Sequence, residues 1–248
     1  MNEFLWVVYP YLCLMLLVVG TLARYNYDQI GWTSKSSELL EKRLLRIGSP
    51  LFHWGIIFVF LGHVAGLLVP IGVYQAIGVS EHVYHLGAMV MGGVTGLMAL
   101  AGLLLLLWRR LSVRQVLRNT SAGDWLALAL LIVTVAMGLG MTLVYNVAHL
   151  PYEYRTTVGP WIRGVILLHP DPSLMAGVPL LLQIHILAAL ALFAASPFTR
   201  LVHIFSLPLA YLGRAPMQYR RRTPAPAQGQ SGDRSGAPPL ARGGEASR

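Results

Sequence analysis

Five stretches of this chain contain no Asp, Glu, Lys or Arg: residues 4–23, 51–73, 83–108, 125–148 and 174–199. Each runs for at least 20 residues, about the length an α-helix needs to cross a hydrocarbon core roughly 30 Å thick. Hydrocarbon offers no partner to an unpaired backbone N–H or C=O, so such spans must be helical. Nothing basic precedes the first, and no A-x-A site follows it, so it is expected to be an uncleaved helix. The pattern predicts an all-α integral membrane bundle of five transmembrane helices.

The polar segments between these runs carry an orientation signal. Lys and Arg number five in residues 24–50, four in 109–124 and eight after Thr199, against two (Arg155 and Arg163) in 149–173. Alternate segments therefore hold 17 basic residues on one side and two on the other. By the positive-inside rule the N-terminus is expected outside and the C-terminus in the cytoplasm. This places the chain in the cell inner (cytoplasmic) membrane as a multi-pass protein.

Composition strengthens the membrane reading. Apolar residues make up 55% of the chain, charged residues 12%, and mean hydropathy is +0.59. A soluble domain carries about 25% charge, so this chain lacks the polar surface to face water all round. The net charge of +9 is a topology signal rather than a nucleic-acid footprint. Cys13 is the only cysteine. That excludes an internal disulfide, a thiolate zinc site, a cysteine-ligated iron–sulfur cluster and a C-x-x-C-H haem attachment.

From about Gly213 the chain changes character. Arg220, Arg221 and Arg222 lead into a Pro/Gly/Ser-rich segment with almost no large apolar residues, too little to offset the entropy of ordering it. Residues 1–212 are expected to form the membrane domain, and 213–248 a disordered basic cytoplasmic tail.

With no charge in the spans, their histidines carry the chemistry. Four of the eight histidines fall in or at the end of spans two and five: His53, His63, His185 and His203. Intramembrane ionisable groups are costly and mark function by default, although one such histidine could serve only to hydrogen-bond a neighbouring helix. The two spans run in opposite directions. His63 and His185 are therefore expected together toward the outside, and His53 with His203 toward the cytoplasm. The 18 residues from His185 to His203 equal five helical turns, whereas the ten from His53 to His63 leave those two off a common face, and a bend near Pro197 would have to absorb the mismatch. Facing imidazole pairs without carboxylate or thiolate suit a six-coordinate haem iron. Zinc would want a third or fourth ligand. Gly55, Gly62, Gly66, Gly92, Gly93 and Gly96 are expected to make room for a macrocycle, although small residues also serve ordinary helix packing. His82 and His85 sit at the outer mouth of span three, and His149 and His169 in the outer loop.

At these residues the chain resembles the gamma subunit of respiratory nitrate reductase, a membrane di-haem cytochrome b. The likeness covers nearly all of residues 1–215. It is carried by Tyr9-Pro10-Tyr11, by Leu22-Ala23-Arg24-Tyr25-Asn26-Tyr27, by Leu51-Phe52-His53 with Gly62-His63, by Gly92-Gly93-Val94-Thr95-Gly96, and by Pro197 to Ile204. The resemblance implies two haem b groups, an outer one on His63 and His185 and an inner one on His53 and His203. It implies quinol oxidation near the outer haem, with electrons passed inward to an iron–sulfur (beta) subunit and a molybdenum (alpha) subunit on the cytoplasmic side, in anaerobic respiration. In the family a lysine at the outer start of the third helix is linked to the quinol site, and Tyr84 stands there in this chain. The quinol-binding residues implied are Gly62, His63, Tyr84 and His85.

Two other readings share part of this pattern. A related di-haem subunit of a sulfite-reductase-associated or heterodisulfide-reductase-like complex would differ only in its partners. A histidine-lined channel or transporter is opposed by the absence of acidic residues in the spans, of broken-helix pairs and of an inverted repeat.

Overall fold

The computed structural model describes residues 2–28, 37, 39–149 and 151–205. Among them every regular element is a helix. Five are long and apolar enough to cross a membrane: Phe4–Tyr27, Arg43–Leu68, Glu81–Ser112, Ala122–Ala148 and Leu180–Phe198. The expected tail at 213–248 lies outside the described residues.

The first crossing is a π-helical turn, Phe4–Val8, leading into α1 (Tyr9–Tyr27). The second is α2 (Arg43–His63), which relaxes into a π-helical turn at Val64–Leu68. It starts and stops earlier than the uncharged run at 51–73. At its start the Glu41 carboxylate accepts the Leu44 N–H at 2.9 Å, supplying a partner that a helix N-terminus otherwise lacks. At its end Val69 turns extended ahead of Pro70, and a short α3 (Ile71–Ala76) follows. Ser80 caps α4 (Glu81–Ser112). After α5 (Arg114–Arg118), a Ser121–Asp124 capping box opens α6 (Ala122–Leu139), which continues through a π-helical stretch, Gly140–Tyr145, into α7 (Asn146–Ala148).

The segment 149–173, expected as a plain loop, contains a helix, α8 (Val158–Ile166). Val158, Trp161 and Val165 share one face at helical spacing and are buried. Trp161 is fully buried and donates its indole N–H to the Trp6 carbonyl at 2.9 Å, with the two rings edge to face. Arg163 reaches back to the Leu67 carbonyl at 2.7 Å. α8 thus clamps the start of the first crossing to the end of the second.

Span five is not one helix over 174–199. A 3₁₀ turn (Pro172–Met175) precedes α9 (Leu180–Ala195), and two further 3₁₀ turns follow, Ser196–Phe198 and Arg200–Phe205, separated by an extended Thr199. His203 therefore arrives on a redirected turn and not five regular turns beyond His185. Arg24 of α1 holds the break by donating to the Pro197 and Thr199 carbonyls.

Neighbouring crossings pack in the order α2, α4, α6, α9, α1. The two that carry the paired histidines, α2 and α9, share no comparable packed stretch. The closest approach is α2 on α4. A Cβ on Gly55 would stand 2.5 Å from the Ala99 nitrogen, and one on Gly102 would stand 2.4 Å from the Phe52 nitrogen. Backbone meets backbone there, as small residues permit in membranes. At one end of this pair Arg109, 3% exposed, donates to the Glu41 carboxylate and carbonyl and to Ser37.

Gly102→Val should therefore force α2 and α4 apart, at about 1–3 kcal/mol for overpacking. Gly87→Ala, where an added methyl meets nothing within 4 Å, should not. Thermal midpoints of the two variants in detergent check this: only the first should fall.

Candidate functional site

The structure brings the four span histidines together in two pairs. The rings of His63 and His185 lie 5.9 Å apart between centres, and those of His53 and His203 lie 6.1 Å apart. All four share a second feature. Nδ1 contacts a backbone carbonyl: Ser49 at 2.7 Å for His53, Val59 at 2.7 Å for His63, Thr134 at 2.8 Å for His185 and Arg200 at 2.6 Å for His203. A carbonyl only accepts, so Nδ1 is the N–H donor and a neutral ring keeps its lone pair on Nε2. Two metal-bound imidazoles, each nitrogen about 2 Å from a shared ion, set their ring centres about 6 Å apart. The observed spacing fits one ion between each pair. Among the described residues no third His, Cys, Asp or Glu joins either pair, so the remaining positions on such an ion would fall to a non-protein ligand.

Local structure explains how each ring is held. His53 and His63 bond carbonyls one turn back on α2. His185 crosses to α6, where Gly138 admits it: a Cβ on Gly138 would stand 2.9 Å from the ring's Cε1. His203 depends on Arg200, whose Nε donates to Asp124 at 2.7 Å and whose carbonyl takes the imidazole N–H.

A second cluster lies about one turn beyond His63. The Tyr84 and Tyr154 hydroxyls are hydrogen-bonded at 2.9 Å, and both come within 3.0 Å of where a Cβ on Gly66 would be. The Tyr84 ring meets the Tyr74 ring edge to face, and the guanidinium of Arg155 lies over it, 3.9 Å from its centre. Arg155 grips Glu153 with two hydrogen bonds of 2.7 Å, and the same carboxylate accepts from His85 Nε2 at 2.8 Å. Burial pushes the Glu153 carboxyl up, but the bonds from Arg155 and His85 outweigh it and hold the group below its ordinary 4.5. Burial and the bond to Tyr84 push the Tyr154 hydroxyl far above the usual tyrosine range, so it stays protonated.

The family model described as nitrate reductase gamma subunit matches residues 2–222. The chain belongs to that family. It is 47% identical over 222 residues to the nitrate reductase gamma chain of Bacillus subtilis, covering 90% of this chain and 99% of that one. It is 34% identical over 223 residues to the respiratory nitrate reductase 1 gamma chain of Escherichia coli, covering 90% and 98%. It is also 47% identical over 223 residues to the nitrate reductase-like protein NarX of Mycobacterium tuberculosis, covering 90% of this chain and 34% of that longer protein. Membership makes this gamma-family chain a subunit of an oxidoreductase complex, and its five apolar helices make it a multi-pass membrane protein.

Against this background some expected residues change role. Gly55, Gly93 and Gly96 do not open space beside the histidines: Ala99, Leu143 and Leu139 fill the places a Cβ would take. Gly62 is open, with nothing within 4 Å, while Gly66 is closed over by Tyr84 and Tyr154. Tyr84 has its hydroxyl engaged, and His85 is tied to Glu153. His149 stacks on Tyr145, and His169 is exposed beyond α8. Sequence reasoning missed Gly138, Glu153, Tyr154 and Arg155. A usable signal was present in Glu153 and Arg155, which flank Tyr154 in a segment otherwise poor in charge.

The Arg155–Glu153 pair generates a pH prediction. A carboxyl held below 4.5 in the folded chain contributes stability that is complete above that value and lost as pH falls through the lower folded pKa. Arg155→Ala should cost about 1–3 kcal/mol at neutral pH. Thermal midpoints measured against pH should show its deficit relative to the parent shrinking below pH 4.5.

Proposed function

We propose that this chain is the quinol-oxidising, di-haem cytochrome b subunit of a nitrate reductase. In this reading His63 and His185 hold one haem b, and His53 with His203 hold the other. The observation that carries the reading is the repeated geometry: two imidazole pairs about 6 Å between centres, every Nδ1–H on a carbonyl. Bound there, the haems supply one-electron couples linking quinol at one end of the bundle to an iron–sulfur (beta) partner, and through it a molybdenum (alpha) partner, at the other.

The residues of the chain do the rest. The carbonyl contacts fix the ring tautomers and raise their basicity as ligands. Gly62, His63, Tyr84 and His85 form the quinol-binding region, where Gly62 leaves the α2 surface open and the Glu153 cluster offers polar partners. A buried quinol hydroxyl without a partner would cost about 1–3 kcal/mol.

The distribution of basic residues supports the His63 end as the outer one and the His53 end as cytoplasmic. Protons from quinol then leave outside while electrons move inward, and each charge crossing the full potential conserves about 2.3 kcal/mol per 100 mV. The named relatives are nitrate reductase chains, which favours this partner over a sulfite- or heterodisulfide-linked complex.

Pyridine haemochrome quantitation tests the cofactor count: the purified chain should carry about two b haems, one for each bis-imidazole site. His63→Ala and His185→Ala should each remove the same haem, stop quinol oxidation and spare the other haem. Gly138→Val, which drives a methyl into the His185 ring, should weaken that same haem. Loss of different haems in the two histidine variants would overturn the pairing.

A further inference from the structure

Quinol oxidation needs an acceptor for protons as well as for electrons, and the cluster beside Tyr84 has the form of one. His85 is partly buried, with 18% of its side chain exposed. Its Nε2 lies 2.8 Å from a Glu153 carboxylate oxygen. An ionised carboxylate only accepts, so Nε2 is the N–H and the lone pair of the neutral ring lies on Nδ1. Glu153 is itself fixed: Arg155 donates Nε to Oε1 and Nη2 to Oε2, both at 2.7 Å, and the Arg155 backbone N–H adds a third bond at 3.2 Å. Arg155 is anchored in turn, its side chain 2% exposed and its guanidinium packed on the Tyr84 ring. A carboxylate that orients an imidazole, with the far nitrogen left basic, is the arrangement by which general bases take a proton from a hydroxyl.

The cluster stands where such a base is needed. Tyr84 and Tyr154 close over Gly66, about one turn beyond His63, and His85 follows Tyr84 on α4. The three groups come from two separate places in the chain, Glu153 and Arg155 from the loop ahead of α8 and His85 from the start of α4. They meet only in the folded protein.

We propose that His85 is the proton acceptor of quinol oxidation and that Glu153, clamped by Arg155, is the positioning residue that aims it. The proposal rests on the quinol-oxidising reading above. In the step, one quinol O–H bond breaks and an N–H bond forms at His85 Nδ1. The electron would leave to a one-electron oxidant, which a haem held by His63 and His185 would supply. The imidazolium then gives its proton to water and is ready for the second hydroxyl.

The experiment is stopped-flow reduction of the haems by a short-chain quinol in the intact complex, in H₂O and D₂O, for the parent, His85→Gln, Glu153→Gln and Glu153→Asp. Haem content and spectra should stay at parental values in all four. General-base participation contributes about 10²–10⁴-fold, so His85→Gln should slow haem reduction at saturating quinol about a hundredfold. The quinol KM should change far less. Glu153→Gln should slow it about tenfold, Glu153→Asp should restore part of the loss, and the solvent isotope effect should rise in both slow variants. If His85→Gln loses haem, Glu153→Gln carries the same test. Two intact haems with a parental rate in His85→Gln or Glu153→Gln would overturn the proposal. So would a slower rate with no rise in the isotope effect, since that marks a purely structural role. Failure of the parent to bind haem or accept electrons from quinol would instead overturn the function on which the proposal rests.

Discussion

An imidazole inside a membrane helix has two nitrogens to satisfy and no bulk water to help. One nitrogen of each span histidine meets a backbone carbonyl, and that contact sets the tautomer and the direction of the other nitrogen. The rest of the bundle is arranged around keeping these four rings in place. α2 supplies two of them and is locked by backbone contact to α4 at Gly55 and Gly102. α9 supplies His185, seated against α6 at Gly138, and the break after Ala195 brings in His203. Had α2 and α9 packed directly on each other, the imidazoles could not face across a distance suited to a shared metal ion.

Polar networks close the bundle at both ends. At the His53 end Arg109 ties α4 to Glu41 ahead of α2, and Asp124 pairs with Arg200, whose carbonyl orients His203. At the His63 end Arg155 and Glu153 join the loop ahead of α8 to His85 and Tyr84. Buried ionic groups are costly unless fully partnered, and these are partnered several times over. Each network also holds a histidine of the candidate sites, His203 at one end and His85 at the other, so the contacts that complete the fold also fix those rings.

Much of the architecture was legible in the uncharged runs, because hydrocarbon tolerates so few alternatives to helix. Their edges were less so. α2 begins at Arg43 because Glu41 and Arg109, 68 positions apart, meet there, and such a contact leaves no local trace. α8 carried a readable spacing in Val158, Trp161 and Val165, hidden inside a segment whose charged residues mark it as a connection between crossings. Glycine was the least legible residue. Gly93 and Gly138 look alike in sequence, yet one is filled by a leucine of the neighbouring helix and the other receives an imidazole. The Tyr84 surroundings were out of reach for the same reason, since Arg155 and Glu153 come from a loop that charge counting treated only as a topology signal.

Near-infrared magnetic circular dichroism of the oxidised chain tests the central claim most directly, because it reports which side chains ligate a low-spin ferric haem. The account predicts that all of the bound haem is low-spin with two imidazole ligands. A high-spin fraction that persists in the intact chain, or a haem with a methionine or other second ligand, would contradict it.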